Sequence, residues 1–304
     1  MEKHDNTTAS VRVLVTGACG FVGSHVLQYL RKQRCNVVGT ARTASIEDVR
    51  ACNLVDHEQV DHLFQENGPF SSIVHIAGNA RANGCNDFYE CMKNNVAATA
   101  ILAGSAAKHG VSRFIFCSTL SVNGLSDTTI FDDLSAANPQ NVYATSKWLG
   151  EEIVARLAVL HQLSCCILRP SNIVGPGMNS MHAIAQFMVS AAMPNEFVIL
   201  GDGSHRRQWL DVRDFCQAIK LCLEKNLQPG SCLKIPLAPQ ESYSMNDLAG
   251  ILRSYFPEAR ILRKSAAGQC LQSQLASTKP AERILGFRAQ YSLKDSFEFF
   301  MSRK

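Results

Sequence analysis

Short apolar runs alternate with segments of helical period along the first two thirds of the chain. The runs are rich in β-branched and aromatic residues, as buried strands are, and cover residues 11–15, 36–40, 72–76, 113–117 and 164–169. Helical spacing lies between them, most clearly over residues 56–66, 87–109 and 141–161. Strands that alternate with helices predict an α/β fold, a doubly wound parallel sheet covered by helices on both faces.

The last third of the chain mixes the same two patterns. A strand is predicted at residues 197–200, and helices are predicted at residues 181–192, 211–223, 244–255 and 279–285. We expect this part to interleave with the first, without a clean linker between them. The polar residues 1–10 are expected to form a disordered tail.

Three glycines follow the first predicted strand at intervals of three residues: Gly17, Gly20 and Gly23. An apolar helix begins directly after them. In dinucleotide-binding proteins such glycines allow a tight turn, a close approach of the backbone to the pyrophosphate and close packing of helix on strand. The free amide groups at the start of the helix then face the phosphates. The order of strand, turn and helix therefore predicts a dinucleotide site.

The end of the second predicted strand bears on the choice between the two nicotinamide cofactors. NAD sites usually place an acidic residue there for the ribose 2′-hydroxyl, whereas NADP sites place an arginine near the 2′-phosphate. Here the chain reads Thr40-Ala41-Arg42-Thr43, with no acid. The arginine favours NADP over NAD, and the alternative interpretation is a solvated loop residue.

A tyrosine and a lysine stand four residues apart, Tyr143 and Lys147, at the start of the predicted 141–161 helix. Asn138 and Asn141 provide a helix-start signal. Residues four apart share one face of a helix, so an ammonium group would lie beside the phenol and lower its pKa. Such a phenol can exchange a proton with a substrate oxygen. The alternative is a chance pair on an exposed helix.

Five candidate residues fall at the ends of predicted strands: Gly17, Arg42, Gly78, Thr119 and Pro170. The carboxyl ends of parallel strands share one edge of a sheet, and ligands of such sheets bind beyond that edge. These independent signals therefore predict one site at one edge.

Composition and charge narrow the function classes. Hydrophobic residues make up 46% and charged residues 18% of the chain, which is typical of a protein that forms a core. The net charge is +4 without a dense basic block, so no nucleic-acid partner is predicted. No apolar run is long enough to span a membrane, and residues 1–10 lack the apolar core of a signal peptide.

The 12 cysteines are scattered along the chain. No Cys-x-x-Cys pair occurs and no histidine spacing suits zinc, so no metal site is predicted. Several cysteines lie in apolar runs, such as Cys117, Cys165 and Cys166. We expect buried free thiols in a reducing compartment, and hence a cytoplasmic protein.

The motifs together resemble the extended short-chain dehydrogenase/reductases, in particular their NAD(P)-dependent nucleotide-sugar epimerase/dehydratase/reductase group. The resemblance covers about residues 11–300. Besides the glycine turn and Tyr143 to Lys147, its pieces are His75-Ile76-Ala77-Gly78, Asn95-Val96, Ser118-Thr119, the run 168–177, and Gly201-Asp202-Gly203 followed by Arg207. It implies a Rossmann domain over mainly residues 11–175 and a smaller, interleaved α/β substrate-binding part over mainly residues 176–304.

The resemblance also implies roles for individual residues. Thr119 would hydrogen-bond the reacting sugar oxygen, Tyr143 would be the acid or base, and Lys147 would bind the nicotinamide ribose and lower the pKa of the tyrosine. Cofactor binding is implied for Gly17, Gly20, Phe21, Val22, Gly23, Arg42, Asn53, Leu54, Ala77, Gly78, Asn95, Tyr143, Lys147, Pro170 and Ile173. Substrate binding is implied for Thr119, Ser121, Asn172 and Arg207.

Some positions depart from the family pattern. Leu120 and Ser121 replace the Asp-Glu pair of the nucleotide-sugar 4,6-dehydratases, which argues against dehydration. Asn123 stands where the family commonly carries a tyrosine, and Gln208 follows Arg207 where an aspartate is usual. We therefore predict an NADP-dependent oxidoreductase acting on a nucleotide-linked sugar, which reduces a 4-keto sugar by hydride transfer with a tyrosine as general acid.

Three alternatives remain open from the sequence. They are an NAD-dependent nucleotide-sugar 4-epimerase, a reductase of a non-sugar ketone, and a catalytically silent protein that senses NADP. In this family the helices at residues 87–109 and 141–161 often form a four-helix bundle between subunits, so a homodimer is also expected.

Overall fold

The computed structural model describes residues 12–43, 46–79, 85, 87–178, 184, 196–266 and 271–302 of the chain. The tail predicted at residues 1–10 lies outside the described residues. The helix predicted at residues 181–192 also lies outside them, apart from Ile184.

A parallel sheet of seven strands forms the centre of the fold. Its strands are β1 (Arg12–Thr16), β2 (Asn36–Ala41), β3 (Val49–Ala51), β4 (Ser72–His75), β5 (Arg113–Cys117), β7 (Ser164–Pro170) and β12 (Cys232–Leu237). They follow the order β12-β7-β5-β4-β1-β2-β3, and every neighbouring pair is parallel. The predicted doubly wound α/β fold is confirmed.

Eight shorter strands pair two by two outside this sheet. The pairs are β6 (Ile130–Phe131) with β15 (Leu275–Ala276), β8 (Asn172–Val174) with β11 (Trp209–Asp211), β9 (Glu196–Leu200) with β14 (Arg260–Lys264), and β10 (Arg206–Arg207) with β13 (Tyr243–Ser244). Six of the eight have only two or three residues, too few for a periodic signal, which is why most of them are missing from the predicted elements.

Helices cover both faces of the sheet. They are α1 (Phe21–Lys32), α2 (His57–Asn67), α3 (Phe88–Met92), α4 (Ala98–Lys108), α5 (Val142–His161), α6 (Val212–Glu224), α7 (Met245–Tyr255), α8 (Lys279–Leu285) and α9 (Leu293–Met301). Alternate residues of the strands belong to two apolar layers, one on each face of the sheet. One layer joins Leu14, Ile73 and Phe114 to α2, α4 and α5, and the other joins Val13, Val15 and Val74 to α1, α6 and α8.

The helix predicted as continuous over residues 87–109 is wrong in one respect. It consists of α3 and α4 joined by a wider π-helical turn, Lys93–Ala97. An inserted residue of this kind shifts the helical period only locally, so a periodicity argument does not register it. The turn carries Asn95, whose contacts are described below.

The seventh strand, β12, comes from the last third of the chain. It pairs with β7 from Cys232 opposite Cys165 to Leu237 opposite Pro170. The last third therefore completes the sheet that the first part begins. Consequently α6 and α8 pack on the same apolar layer as α1.

Candidate active site and cofactor cleft

A glycine turn joins β1 to α1 at the carboxyl edge of the sheet. Gly17 has a φ of +71°, a left-handed conformation that other residues disfavour. A Cβ on Gly23 would lie 2.0 Å from the carbonyl oxygen of Gly17, so only glycine lets α1 approach the turn this closely. The first turn of α1 carries no acidic residue, and its free amide groups are therefore well suited to a phosphate.

A cleft of about 630 Å³ opens beside the glycine turn. Ten of the predicted cofactor residues line it together: Gly17, Gly20, Phe21, Val22, Gly23, Arg42, Asn53, Leu54, Ala77 and Gly78. The cleft thus follows the carboxyl ends of β1, β2 and β4. The other predicted cofactor residues are not part of its wall: Asn95, Tyr143, Lys147, Pro170 and Ile173.

Arg42 and Thr43 line the cleft beyond β2, together with Asn53 and Leu54. The Arg42 side chain is exposed, and no carboxylate among the described residues pairs with it. The backbone amide of Asn53 donates a hydrogen bond to Gln59 Oε1 at 2.9 Å. An available guanidinium at this place suits a phosphate group, because its planar N–H donors match phosphate oxygens.

Helix α5 brings the predicted tyrosine and lysine to the sheet edge. Its N-cap is Asn141, whose side chain accepts a hydrogen bond from the amide of Ala144 at 2.9 Å. Gly150 lies against β5, since a Cβ there would lie 2.7 Å from the ring of Phe116. The absence of a side chain at this position lets α5 pack closely on the strand.

The Tyr143 phenol lies close to the Thr119 hydroxyl. Burial raises the pKa of the Tyr143 phenol above its usual value, the nearby Cys117 thiol raises it further, and the Thr119 hydroxyl opposes both. The predicted net lowering of this pKa is therefore wrong for this structure, because the loss of solvent around the phenolate is the largest effect on it. Tyr143 is held protonated and so suited to donate a proton.

Lys147 lies beneath the edge of the cleft and is 4% exposed. Its Nζ stands 4.4 Å from the centroid of the Phe116 ring, in a cation–π contact. Burial lowers the pKa of Lys147, while the Cys117 and Glu151 groups raise it. A Cβ on Gly78 would lie 4.0 Å from the Lys147 Nζ, so the lysine reaches the cleft at Gly78.

A buried ion pair lies one helical turn beyond Lys147. Glu151 accepts hydrogen bonds from Arg169 Nε at 2.9 Å and Nη2 at 2.6 Å, and one from the Ser118 hydroxyl. Arg169 Nη1 also donates to Asn123 Oδ1 at 3.3 Å. The sequence analysis did not single out this pair. The continuation of the four-residue spacing from Tyr143 and Lys147 to Glu151 is the signal that could have found it.

Asn95 is buried in the π-helical turn and is engaged by the protein itself. Its Oδ1 accepts a hydrogen bond from the amide of Asn79 at 2.6 Å, and its Nδ2 donates to the Asn79 carbonyl at 3.1 Å. The same Nδ2 donates to the Ser146 hydroxyl at 2.8 Å. Asn95 therefore joins the segment after Gly78 to α5, between the tyrosine and the lysine.

A disulfide connects Cys85 to Cys91 beside this turn. For these two residues the expectation of free thiols is wrong, because the chain brings them together beside the Asn95 side chain. The Nδ2 of Asn95 lies 3.7 Å from the sulfur of Cys85 and 3.6 Å from that of Cys91. Nine other cysteines among the described residues are free, as expected.

The predicted substrate residues follow β5 and β7 or lie on β10. The Thr119 hydroxyl accepts a hydrogen bond from the Ser121 amide at 3.2 Å, which opens a short 3-10 turn. Asn172 begins β8, is exposed, and its Nδ2 donates to the carbonyl of Gln208 at 3.2 Å. Arg207 ends β10, and its Nη1 donates to the Gln272 carbonyl at 2.7 Å.

Gln208 explains one departure from the family pattern. It is 4% exposed, and its Nε2 donates to the carbonyls of Pro239 at 2.8 Å and Ala276 at 3.1 Å. Its Oε1 accepts from the Ala276 amide at 2.7 Å. An aspartate lacks the N–H donors for two of these bonds. Gln208 therefore joins the link between β10 and β11 to β15 and to the segment after β12.

The comparisons with known proteins agree with this site. The sequence pattern of the NAD dependent epimerase/dehydratase family matches residues 13–235, which is more than half of the chain. The chain belongs to this family. The resemblance to the extended short-chain dehydrogenase/reductases is thereby confirmed, and the protein is an enzyme of the epimerase/dehydratase type.

Individual relatives have low sequence identity but match most of the chain. A dTDP-glucose 4,6-dehydratase of Streptomyces niveus is 28% identical over 70% of this chain and 69% of its own length. A UDP-glucose 4-epimerase of Rhizobium leguminosarum bv. trifolii is 25% identical over 94% of this chain and 95% of its own. The solved structure of MoeE5 in complex with UDP-glucose and NAD has a TM-score of 0.84 and 25% identity, covering 96% of this chain and 97% of its own.

The described residues contain neither a metal-binding group of side chains nor a membrane-spanning helix. No group of three or more His, Cys, Asp and Glu side chains among them is placed to hold a metal ion. Within the described part of the chain, no helix is both long and apolar enough to cross a membrane.

Proposed function

We propose that this family member is an NADP-dependent oxidoreductase that reduces a 4-keto sugar carried on a nucleotide. The observation that carries the proposal is the continuity of one edge of the sheet. The cleft with Arg42 at one end leads past Gly78 to Lys147, and from there to the neighbouring side chains of Tyr143 and Thr119. Cofactor, proton donor and substrate oxygen would meet along this edge.

The residues of the cleft fit an NADP molecule. The glycine turn and the start of α1 would take the pyrophosphate, and Arg42 with Thr43 would take the 2′-phosphate. Asn53 and Leu54 would lie at the adenine, while Ala77 and Gly78 would lie along the chain towards the nicotinamide. Lys147 would bind the nicotinamide ribose. An acidic residue after β2, which would favour NAD, is missing at Ala41 and Arg42.

The chain's own residues would manage the proton. When bound, NADPH supplies a hydride to the carbonyl carbon. Thr119 and Tyr143 would both donate hydrogen bonds to the carbonyl oxygen, and the phenol proton would pass to that oxygen as it becomes a hydroxyl group. Lys147 would stabilise the phenolate that remains, because an ammonium nearby favours the charged form. Burial of Tyr143 would keep the proton in place until hydride transfer begins.

A nucleotide-linked sugar is supported by two kinds of observation. Arg207 lies two residues before Trp209, which pairs with the exposed Asn172, and a guanidinium and an amide suit a diphosphate. The relatives are named for UDP-glucose and dTDP-glucose. Dehydration is disfavoured, because Leu120 and Ser121 provide no carboxylates after Thr119.

A second candidate function is an NAD-dependent 4-epimerase. It is favoured by the Rhizobium epimerase, which this chain matches over 95% of that protein's length, and by the NAD bound to MoeE5. An epimerase would oxidise and reduce the same carbon without releasing its cofactor.

The predicted homodimer, the cytoplasmic location and the division near residue 175 stay predictions from the sequence.

Titration of the purified protein with NADPH and NADH tests the cofactor assignment. We expect NADPH to bind at least about tenfold more tightly, since a guanidinium–phosphate pair adds on the order of 1.4 kcal/mol or more. Arg42→Ala should remove most of this difference. Arg50→Ala is a matched control on the neighbouring strand, where Arg50 donates to Asn67 Oδ1 at 2.9 Å, and it should leave the preference unchanged. Firmly retained NAD in the purified protein would contradict the proposal and favour the epimerase.

A further inference from the structure

His75 is a buried histidine that the mechanism above does not use. It ends β4, is 1% exposed, and has a hydrogen-bond partner at each ring nitrogen. Nδ1 lies 2.7 Å from the Thr16 hydroxyl, and Nε2 lies 3.0 Å from the Thr99 hydroxyl. The ring therefore connects the strand before the glycine turn to helix α4.

The hydrogen-bond partners of Thr16 determine which nitrogen of the ring carries the proton. The Thr16 hydroxyl accepts two backbone hydrogen bonds, from the amides of Ile76 and Ala77, each at 3.1 Å. A hydroxyl has two acceptor lone pairs and one proton. With both lone pairs in use, its proton must point to Nδ1 of His75. The ring is then the neutral form with its proton on Nε2, which donates to the Thr99 hydroxyl.

Thr99 passes the same direction on to the π-helical turn. Having accepted from the histidine, its hydroxyl donates to the backbone carbonyl of Asn95 at 2.5 Å. One continuous chain of donors thus runs from Thr16 through His75 and Thr99 to Asn95. Only one set of hydrogen-bond directions gives every buried donor and acceptor in this series a partner. Reversal of one hydrogen bond would therefore leave a buried group without its partner.

The two ends of this chain adjoin residues that line the cofactor cleft, Gly17 and Asn79. At the first end, Thr16 precedes Gly17. A Cβ on Gly17 would lie only 2.9 Å from the backbone of Ala77, so the glycine turn packs directly on that segment. At the other end, Asn95 holds Asn79 by two hydrogen bonds and reaches Ser146 on α5. These hydrogen bonds from Thr16 to Asn95, called the His75 relay below, therefore fix the glycine turn, the segment at residues 76–79 and helix α5 relative to one another.

We propose that His75 is a positioning residue, which as a neutral ring with its proton on Nε2 sets the distance between the phosphate turn and the Asn95 turn, and thereby places the cofactor against Tyr143 and Lys147. This inference rests on the proposed function for its effect on turnover. Its structural part, the direction of the relay, stands independently of the substrate.

The electrostatic surroundings agree with a ring that stays neutral. Burial lowers the pKa of His75 to about 3, and the charge of Lys147 contributes in the same direction. A proton on Nδ1 would also face the Thr16 hydroxyl, whose lone pairs are already occupied. The ring is thus held in one protonation state and one tautomer throughout the range in which most histidines titrate.

Nitrogen-15 NMR of the histidine-labelled protein tests the relay directly. We expect one ring with a protonated Nε2 and an unprotonated Nδ1 whose shifts do not change between pH 5 and pH 9. The resonance is assigned by its loss in His75→Gln or, where that variant does not fold, by its shift in Thr99→Val. A ring with the proton on Nδ1, or one that titrates in this range, would overturn the inference.

A pair of variants at Thr99 tests the consequence for the site. Thr99→Val removes the hydroxyl but keeps the shape, and we expect about tenfold weaker NADPH binding and a fall in kcat of about tenfold or more. Thr99→Ser keeps the hydroxyl and should stay within about twofold of the unaltered protein. If Thr99→Val only lowers the melting temperature and leaves the NADPH affinity and kcat unchanged at low temperature, His75 has a structural role alone. A protein that turns over no nucleotide sugar would refute the proposed function, while the NMR and NADPH measurements would still decide the relay.

Discussion

Replacement of Tyr143 by phenylalanine is expected to lower turnover about a thousandfold while leaving NADPH affinity within about threefold, since general acid catalysis contributes roughly 10²- to 10⁴-fold. The ring would still fill its place on α5, but the hydroxyl that lies beside Thr119 would be lost. Steady-state kinetics with a 4-keto nucleotide sugar, together with a cofactor titration, provide the measurement. The cofactor titration shows whether the cleft is intact in the variant.

Tyr89→Phe is the matched control for that experiment. Tyr89 lies on α3, is 69% exposed, and contacts only Lys93 among the described ring interactions. Its loss should leave turnover unchanged. Substantial turnover in Tyr143→Phe would mean that another group delivers the proton, and the role given to the phenol would have to be withdrawn.

Replacement of Glu151 by alanine is expected to destabilise the protein by about 3–5 kcal/mol, because it leaves the buried Arg169 guanidinium without its carboxylate. Arg169 is 2% exposed and donates two hydrogen bonds to Glu151. Solvent cannot replace the lost partner at this depth. Urea unfolding followed by circular dichroism measures the change in the free energy of unfolding.

The neighbouring residue gives a control with the same chemistry at the surface. Glu152 forms an ion pair with Lys234 at 3.0 Å, but its side chain is 46% exposed. Glu152→Ala should therefore cost less than about 1 kcal/mol, as exposed ion pairs do. Equal costs for the two variants would show that the Glu151–Arg169 pair does not hold α5 to β7.

The fold could be predicted where many consecutive residues follow the apolar spacing of a strand or a helix. Strands such as β1 and β5 are continuous apolar runs, and helices such as α8 end at the expected residue. The seventh strand, β12, was missed. Lys234 and Pro236 interrupt its apolar run, and its place beside β7 is decided by contacts distant in sequence.

The candidate site could be predicted as far as strand ends determine it. Ten predicted cofactor residues line one cleft because parallel strands carry them to the same edge. The direction of the Tyr143 pKa could not be predicted, since burial and the Cys117 thiol depend on packing that no local pattern records. The π-helical turn and the relay through His75 likewise depend on side chains from three separate segments.

Transfer of deuterium tests the central claim most directly. The protein would be incubated with NADPH deuterated at the transferable position of its nicotinamide and with a 4-keto nucleotide sugar, and the product would be analysed by mass spectrometry and NMR. The account predicts one deuterium at sugar carbon 4 for each NADPH oxidised. A product without deuterium, formed while NADPH is not consumed and a bound NAD is retained, would contradict it and assign the protein to the epimerases.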